Sequence, residues 1–303
     1  MLAAGAFALD LRGAAAQDAK PSVSATSETQ LGAPSDSEVR ERAQQLIANQ
    51  HKSDVALDEY ERVERYVDRT SGADSRVTLD KTYRVVPTGG GTMKLLIKDQ
   101  DQPSDPAEYR RQLRTLRDIL QMMANPDDPK AKAAYAKYQK RKQDRNAFVD
   151  VAGDAFLVKW IDREMYKGFV CDVFQLDPNP NFHPHSMFQD ALAHVRGKIW
   201  VDHASNQLVR GEANVLSDIY FGGGILGKLA RGSSVSLDQA EIEPGLWEPA
   251  HYEYNFSGRK FLFSFEQHQT VDASRYKYIG PPREALGVVE SELATGKPFL
   301  AAQ

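Results

Sequence analysis

Cysteine is almost missing from this chain of 303 residues: Cys171 is the single one. No intrachain disulfide can form, so packing and hydrogen bonds alone must hold the fold. In Phe169-Val170-Cys171-Asp172-Val173 the thiol has apolar neighbours, which reads as a buried strand position rather than a reactive group. Long hydrophobic runs are also missing. No stretch reaches the roughly eighteen apolar residues that a membrane-crossing helix needs. An excess of positive charge is missing as well. Lys and Arg number 38 against 42 Asp and Glu, for a net charge of −4. That argues against a generally basic nucleic-acid binder, and no nucleic-acid partner is expected. Catalytic signatures are missing last: the chain has no G-x-S-x-G elbow, no H-E-x-x-H and no P-loop. Gly222-Gly223-Gly224 lacks the strand-to-helix context of a phosphate cradle and reads as a flexible loop. No catalytic residue, and hence no enzyme activity, is assigned, and no cofactor is implied.

What is present divides along the chain. Residues 1–16 are small and apolar and end in Ala14-Ala15-Ala16, the pattern of a signal-peptidase site without its basic start. They read as the tail of a truncated secretory signal, which implies a periplasmic or otherwise exported protein. The alternative is an Ala-rich leader. Residues 17–37 are rich in Ser, Thr, Ala, Pro and Gln and read as a disordered linker. A helix is expected from about Ser37 to Gln50, capped by Asp36 or Ser37, with Val39, Ala43, Leu46 and Ile47 on one face. Strands follow at 60–69, 79–85 and 93–97, a meander. Two helices, 107–124 and about 130–146, then interrupt the strands. The first carries Tyr109, Leu113, Leu116, Leu120 and Met123 on one stripe. The second half returns to strands, including a long apolar one from Tyr166 to Leu176. Pro281-Pro282 is expected to end the fold, leaving 281–303 as a tail.

The most telling stretch lies near the end. Tyr252, Tyr254 and Phe256 alternate with polar residues, and Phe261, Phe263 and Phe265 do the same. Strand side chains alternate between faces, so each run places three aromatics on one face. Ser257-Gly258-Arg259-Lys260 reads as the turn between them. Such a face needs an apolar cover, which is either the protein's own core or a ligand.

Gly197 to Ala213 (GKIWVDHASNQLVRGEA), a Gly-rich loop, and then Glu243 to Val271 (EPGLWEPAHYEYNFSGRKFLFSFEQHQTV) carry a strand rhythm. It resembles the periplasmic outer-membrane lipoprotein-sorting, lipoprotein carrier-like superfamily. The resemblance covers roughly residues 55–100 and 156–279. It implies a mainly β fold with helices (α+β): a half-open antiparallel β-barrel wrapped around helices, here with a helical insertion at about 107–146. Residues 38–280 would form that single domain. It also implies an apolar cavity for lipid or lipoprotein acyl chains, and a membrane-associated partner protein that receives them. Trp200, Trp247, Tyr252, Tyr254, Phe256, Phe261, Phe263 and Phe265 would then be the cavity wall. Burial of each methylene gains about 0.8 kcal/mol without direction, so a long chain could be held with little hydrogen-bond specificity. The other reading on the same fold is an envelope sensor or structural partner-binding protein with a self-filled core.

Two further clusters need weighing. Lys137, Lys140, Arg141 and Lys142 sit in the most concentrated positive run and could meet lipid headgroups or an acidic partner. The bland reading is a solvated helix face. His183, His185, Asp190 and His194 have some metal-ligand spacing, but Pro184 splits the first pair and nothing completes the set. No metal is expected.

Overall fold

The computed structural model describes residues 32–296, except 72 and 73. The signal-like segment 1–16 and most of the linker lie outside the described residues. Helix α1 (Asp36–Ala56) leads into β1 (Tyr60–Arg69), β2 (Val77–Pro87), β3 (Thr92–Asp99) and the two-residue β4 (Gln102–Pro103). Helices α2 (Pro106–Met123) and α3 (Pro129–Asp150) and the single turn α4 (Ala152–Ala155) follow. Next come β5 (Phe156–Tyr166), β6 (Phe169–Pro178), the short α5 (Met187–Asp190), β7 (Val195–Asp202) and β8 (Leu208–Val215). Then β9 (Ile219–Phe221), β10 (Gly227–Leu229), β11 (Ser234–Glu243), β12 (Leu246–Lys260), β13 (Phe263–Tyr278) and α6 (Pro282–Thr295) complete the order.

All thirteen strands among the described residues join one antiparallel sheet in the order β4-β3-β2-β1-β13-β12-β11-β8-β7-β6-β5, with the β9–β10 hairpin attached to β12. The chain runs to one edge at β4, crosses through the helical insertion to the other edge at β5, and returns strand by strand to pair β13 with β1. The two edges do not pair, so the sheet is not closed and the α+β class holds. It does curl. Phe169 on β6 meets Trp247 on β12 with ring centroids 4.8 Å apart. Those strands are four places apart, about 19 Å in a flat sheet. Tyr166 and Lys167 likewise reach Asp238 on β11 at 3.0 and 2.8 Å.

Register defines the two faces, because residues directly opposite in an antiparallel pair point the same way. One face runs through Val173, Trp200, Arg210, Asp238, His251, Asp272, Arg65 and Thr82. We term it the tryptophan face. The other runs through Phe174, Ile199, Gly211, Leu237, Tyr252, Val271, Tyr66 and Lys81. We term it the tyrosine face. The sheet curls toward the tryptophan face, and α2 and α6 cover that face at the β2–β3 end. Val86 and Leu95 there pack with Leu113, Leu116 and Leu120 of α2 and Ala285 and Val289 of α6. The predicted stripe on α2 is therefore the one that packs.

Several local expectations need correction. Ser35, not Asp36 or Ser37, caps α1, in a capping box with Glu38. The apolar run 166–176 is no single strand. Lys167 (φ 49°) and Gly168 (φ 91°) turn the chain between β5 and β6. Within the expected tail, Pro282–Thr295 is helix. Pro282 occupies its first turn, where a missing N–H costs nothing, and Ala285 and Val289 are fully buried against α2. The turn placed at 257–260 lies instead at Phe261-Leu262, since β12 runs through to Lys260. Gly258 is a strand residue required by a close approach: a side-chain carbon there would sit 2.1 Å from the carbonyl oxygen of Lys228 on β10.

Candidate functional site: the tyrosine face

β12 brings Tyr252, Tyr254 and Phe256 onto the tyrosine face, each half-buried. The tyrosine rings stack with centroids 5.8 Å apart and planes 5° from parallel, and Phe256 follows at 5.6 Å. Phe265 pairs with Gly258 and Phe263 with Lys260, so both continue the same face toward the turn. Phe265 leans over the space that Gly258 leaves. Five of the eight predicted wall residues thus share one side of one hairpin.

The other three do not. Trp200 and Trp247, 5% and 2% exposed, lie in a core cluster with Cys171, Val173 and Val209 on the tryptophan face. The Trp200 indole N–H donates to Glu164, and Lys198 Nζ sits 4.2 Å above the ring. These tryptophans fill a core and line no open wall. Strand alternation alone could not place them, because a bulge between Trp200 and Val201 and others along β11–β12 reset the parity. Phe261 stands in the turn at φ 54° and is exposed. Cys171 is fully buried, and burial pushes its thiol up to about 11, so it is no nucleophile.

Beside the ladder the same face carries charge that sequence patterning missed. Arg62 pairs with Glu64 at 2.7 Å, and Lys94 Nζ lies 3.1 Å from Glu64 and 4.0 Å above the Tyr66 ring. Tyr66 donates its hydroxyl to Glu64. Burial works against the Glu64 charge, but Arg62 and Lys94 together hold its carboxyl below the usual range. Further along β12, Glu248 is 1% exposed and its Oε1 has no hydrogen-bond partner. Burial pushes its carboxyl up to about 8, with Arg62 opposing and Asp54 adding to the shift. Glu248 lines a cavity of about 250 Å³ together with Ala240, Ile242, Ala250, Ala273 and Tyr276. Tyr276 donates to the Pro249 carbonyl at 2.6 Å. The arrangement is an aromatic strip that ends in a small pocket holding one buried, protonatable acid.

No family model matches the chain. No curated protein matches it either. Among solved structures it is similar to an outer membrane lipoprotein-sorting protein domain from Vibrio parahaemolyticus, at 8% identity and TM-score 0.33, over 82% of this chain and 99% of that one. It is also similar to a LolA superfamily protein from Nitrosomonas europaea, at 10% identity and TM-score 0.31, over 80% and 96%. A third is a DUF1329 family protein from Desulfovibrio piger, at 12% identity and TM-score 0.30, over 79% and 92%. Likenesses this distant carry no argument.

The basic run on α3 separates into parts. Lys142 is buried, and its ammonium donates to the Asp54 carbonyl and the Asp58 carboxylate, both at 2.7 Å. It ties α3 to α1 and is not free for a headgroup. Arg141 donates to the Gly90 carbonyl at 3.3 Å. Lys140 pairs with Asp144 on the exposed side, and Lys137 is exposed. The histidines gather no ligand set: among the described residues no group of three or more His, Cys, Asp or Glu could hold a metal.

Proposed function

We propose that this chain is an exported binding protein that carries lipid or acylated cargo along the tyrosine face. The observation that supports it is the continuous half-buried strip of Tyr252, Tyr254, Phe256 and Phe265, running to a cavity lined by a buried acid whose Oε1 has no hydrogen-bond partner. The cavity of about 250 Å³ is smaller than pockets that bury a drug-sized ligand. It suits a short polar end of a ligand, while the acyl chain lies on the aromatic strip. The action is passive. Apolar burial holds the chain, and a membrane or membrane-associated partner that binds it better takes it away. No bond is made or broken, so the chain acts as a binding protein and not as an enzyme.

The second reading is an envelope sensor or structural partner-binding protein. The closed tryptophan core, where two predicted wall residues pack on protein alone, favours it.

Titration with a fluorescent fatty acid separates the two. Under the carrier reading Tyr254→Asp weakens binding at least tenfold, since losing about 2 kcal/mol of apolar contact is roughly a thirtyfold change. Glu253→Gln, on the opposite face, leaves binding unchanged. No uptake by the unmodified chain favours the sensor.

A further inference from the structure

We infer that the paired turns at one end of the sheet, β9–β10 and β12–β13, dock onto an anionic bilayer surface. The three most exposed large apolar side chains among the described residues are Leu262 (88%), Ile225 (78%) and Phe263 (78%), and all lie on these two turns. Leu226, Phe261 and Tyr220 beside them are each more than half exposed. The turns form one ridge. β10 pairs with the end of β12, the Phe261 N–H donates to the Leu226 carbonyl at 3.2 Å, and Arg259 donates to the Gly224 carbonyl at 3.2 Å. Gly222, Gly223 and Gly224 all have positive φ, which lets the first turn fold tightly enough to push Ile225 and Leu226 outward.

Such exposure is unusual for a free soluble surface and marks a place where apolar groups meet something else. Charge identifies the occupant. Arg259, Lys260, Lys228 and Arg231 surround the ridge, against Asp218 and Glu266. Lys228 and Asp218 pair at 2.7 Å and cancel, which leaves Arg259, Lys260 and Arg231 against Glu266, an excess of two positive charges. Apolar and aromatic tips within a cationic collar match the boundary between acyl chains and anionic headgroups. A protein interface of ordinary size buries about 800 Å² a side from twenty or more residues, which a ridge of two turns does not offer. The docking ridge is made by these two turns alone. If the cargo reading also holds, the ridge stands where the aromatic strip begins, because Phe263 belongs to both.

The test is flotation of the full chain with phosphatidylcholine vesicles, with and without phosphatidylglycerol, at low and high salt. The chain is expected to float with the anionic vesicles and to be released by salt. Leu262→Asp and Ile225→Asp should each cut that binding about tenfold or more, because a charge replaces an apolar group at the interface. Their melting temperatures should not change, since both side chains are exposed. Arg259→Glu with Lys260→Glu should weaken anionic binding and remove its salt dependence. The inference is overturned if the unmodified chain stays unbound, if it binds zwitterionic vesicles equally, or if the Asp variants bind like the parent. It is also overturned if light scattering finds a dimer that Leu262→Asp dissociates, which would assign the ridge to a second copy. Cargo retained by the Leu262→Asp variant in native mass spectrometry keeps the two claims separate.

Discussion

Arg84→Ala is expected to lower the stability of this protein by about 3–5 kcal/mol, the range for removing one partner of a buried ion pair. Arg84 is 1% exposed on β2, on the tryptophan face. Its Nε and Nη2 donate to Glu61 on β1 at 2.7 Å, and Nη1 donates to Glu292 on α6 at 2.6 Å and to Tyr109 on α2 at 3.2 Å. Tyr109 in turn donates to Glu292 at 3.0 Å. One guanidinium thus ties two strands and two helices across the core that α2 and α6 form. Its removal leaves Glu61, 1% exposed, with a buried charge and no cation. A thermal melt should fall by roughly 10 °C, given about 2–4 °C per kcal/mol for a chain of this size. Arg84→Met combined with Glu61→Leu and Glu292→Gln should recover much of the loss, because neither carboxylate is then left without its cation. A single Arg84→Ala variant that melts like the parent would contradict this account of the helical layer.

The second large effect depends on pH. Glu248 has a folded value of about 8 against an ordinary 4.5. Between those values the folded chain keeps a proton that the unfolded chain releases. Folding therefore binds protons in this window, and stability from this group falls as pH rises from about 4.5 to about 8. The slope approaches about 1.4 kcal/mol per pH unit. Glu248→Gln keeps the shape and cannot ionise. It should match the parent near pH 4.5 and exceed it by roughly 3 kcal/mol at pH 7. Denaturant unfolding of both proteins across this range is the check. Parallel curves would mean that Glu248 is solvated and that the pocket is not the low-dielectric site described. If cargo covers Glu248, bound ligand should also change the slope.

Much of the framework was legible because alternation is a strong signal. The meander of β1, β2 and β3, the β7–β8 hairpin and the stripe Leu113, Leu116, Leu120 on α2 all follow from spacing of apolar residues. Turn chemistry was less reliable. Gly258 resembles a turn residue, yet it serves the approach of β10, and the real turn uses Phe261 in a left-handed conformation that few would assign to phenylalanine. Helix α6 was hidden behind Pro281-Pro282, although a proline in the first turn begins a helix as readily as it ends a fold.

The site was half legible. Alternation put Tyr252, Tyr254 and Phe256 on one face, but it could not carry parity across bulges to Trp200 and Trp247. Buried charge was the least visible part. Arg62, Glu64 and Arg84 look in sequence like the wet side of an amphipathic strand. In the fold Glu64 and Arg84 are buried, at 6% and 1% exposure, and Arg62 beside them is 12% exposed. Lys142 gives the same lesson on α3, where one lysine of a basic run turns inward to Asp58.

The central claim is that the tyrosine face carries an acyl chain. Native mass spectrometry of the purified protein, followed by solvent extraction and lipid analysis, tests it most directly. The account expects extra mass on the parent chain that extraction identifies as phospholipid or acylated species, and its loss in Tyr254→Asp. A clean unliganded mass, with no gain after incubation with fatty acid, would contradict the carrier and leave the self-filled sensor as the reading that stands.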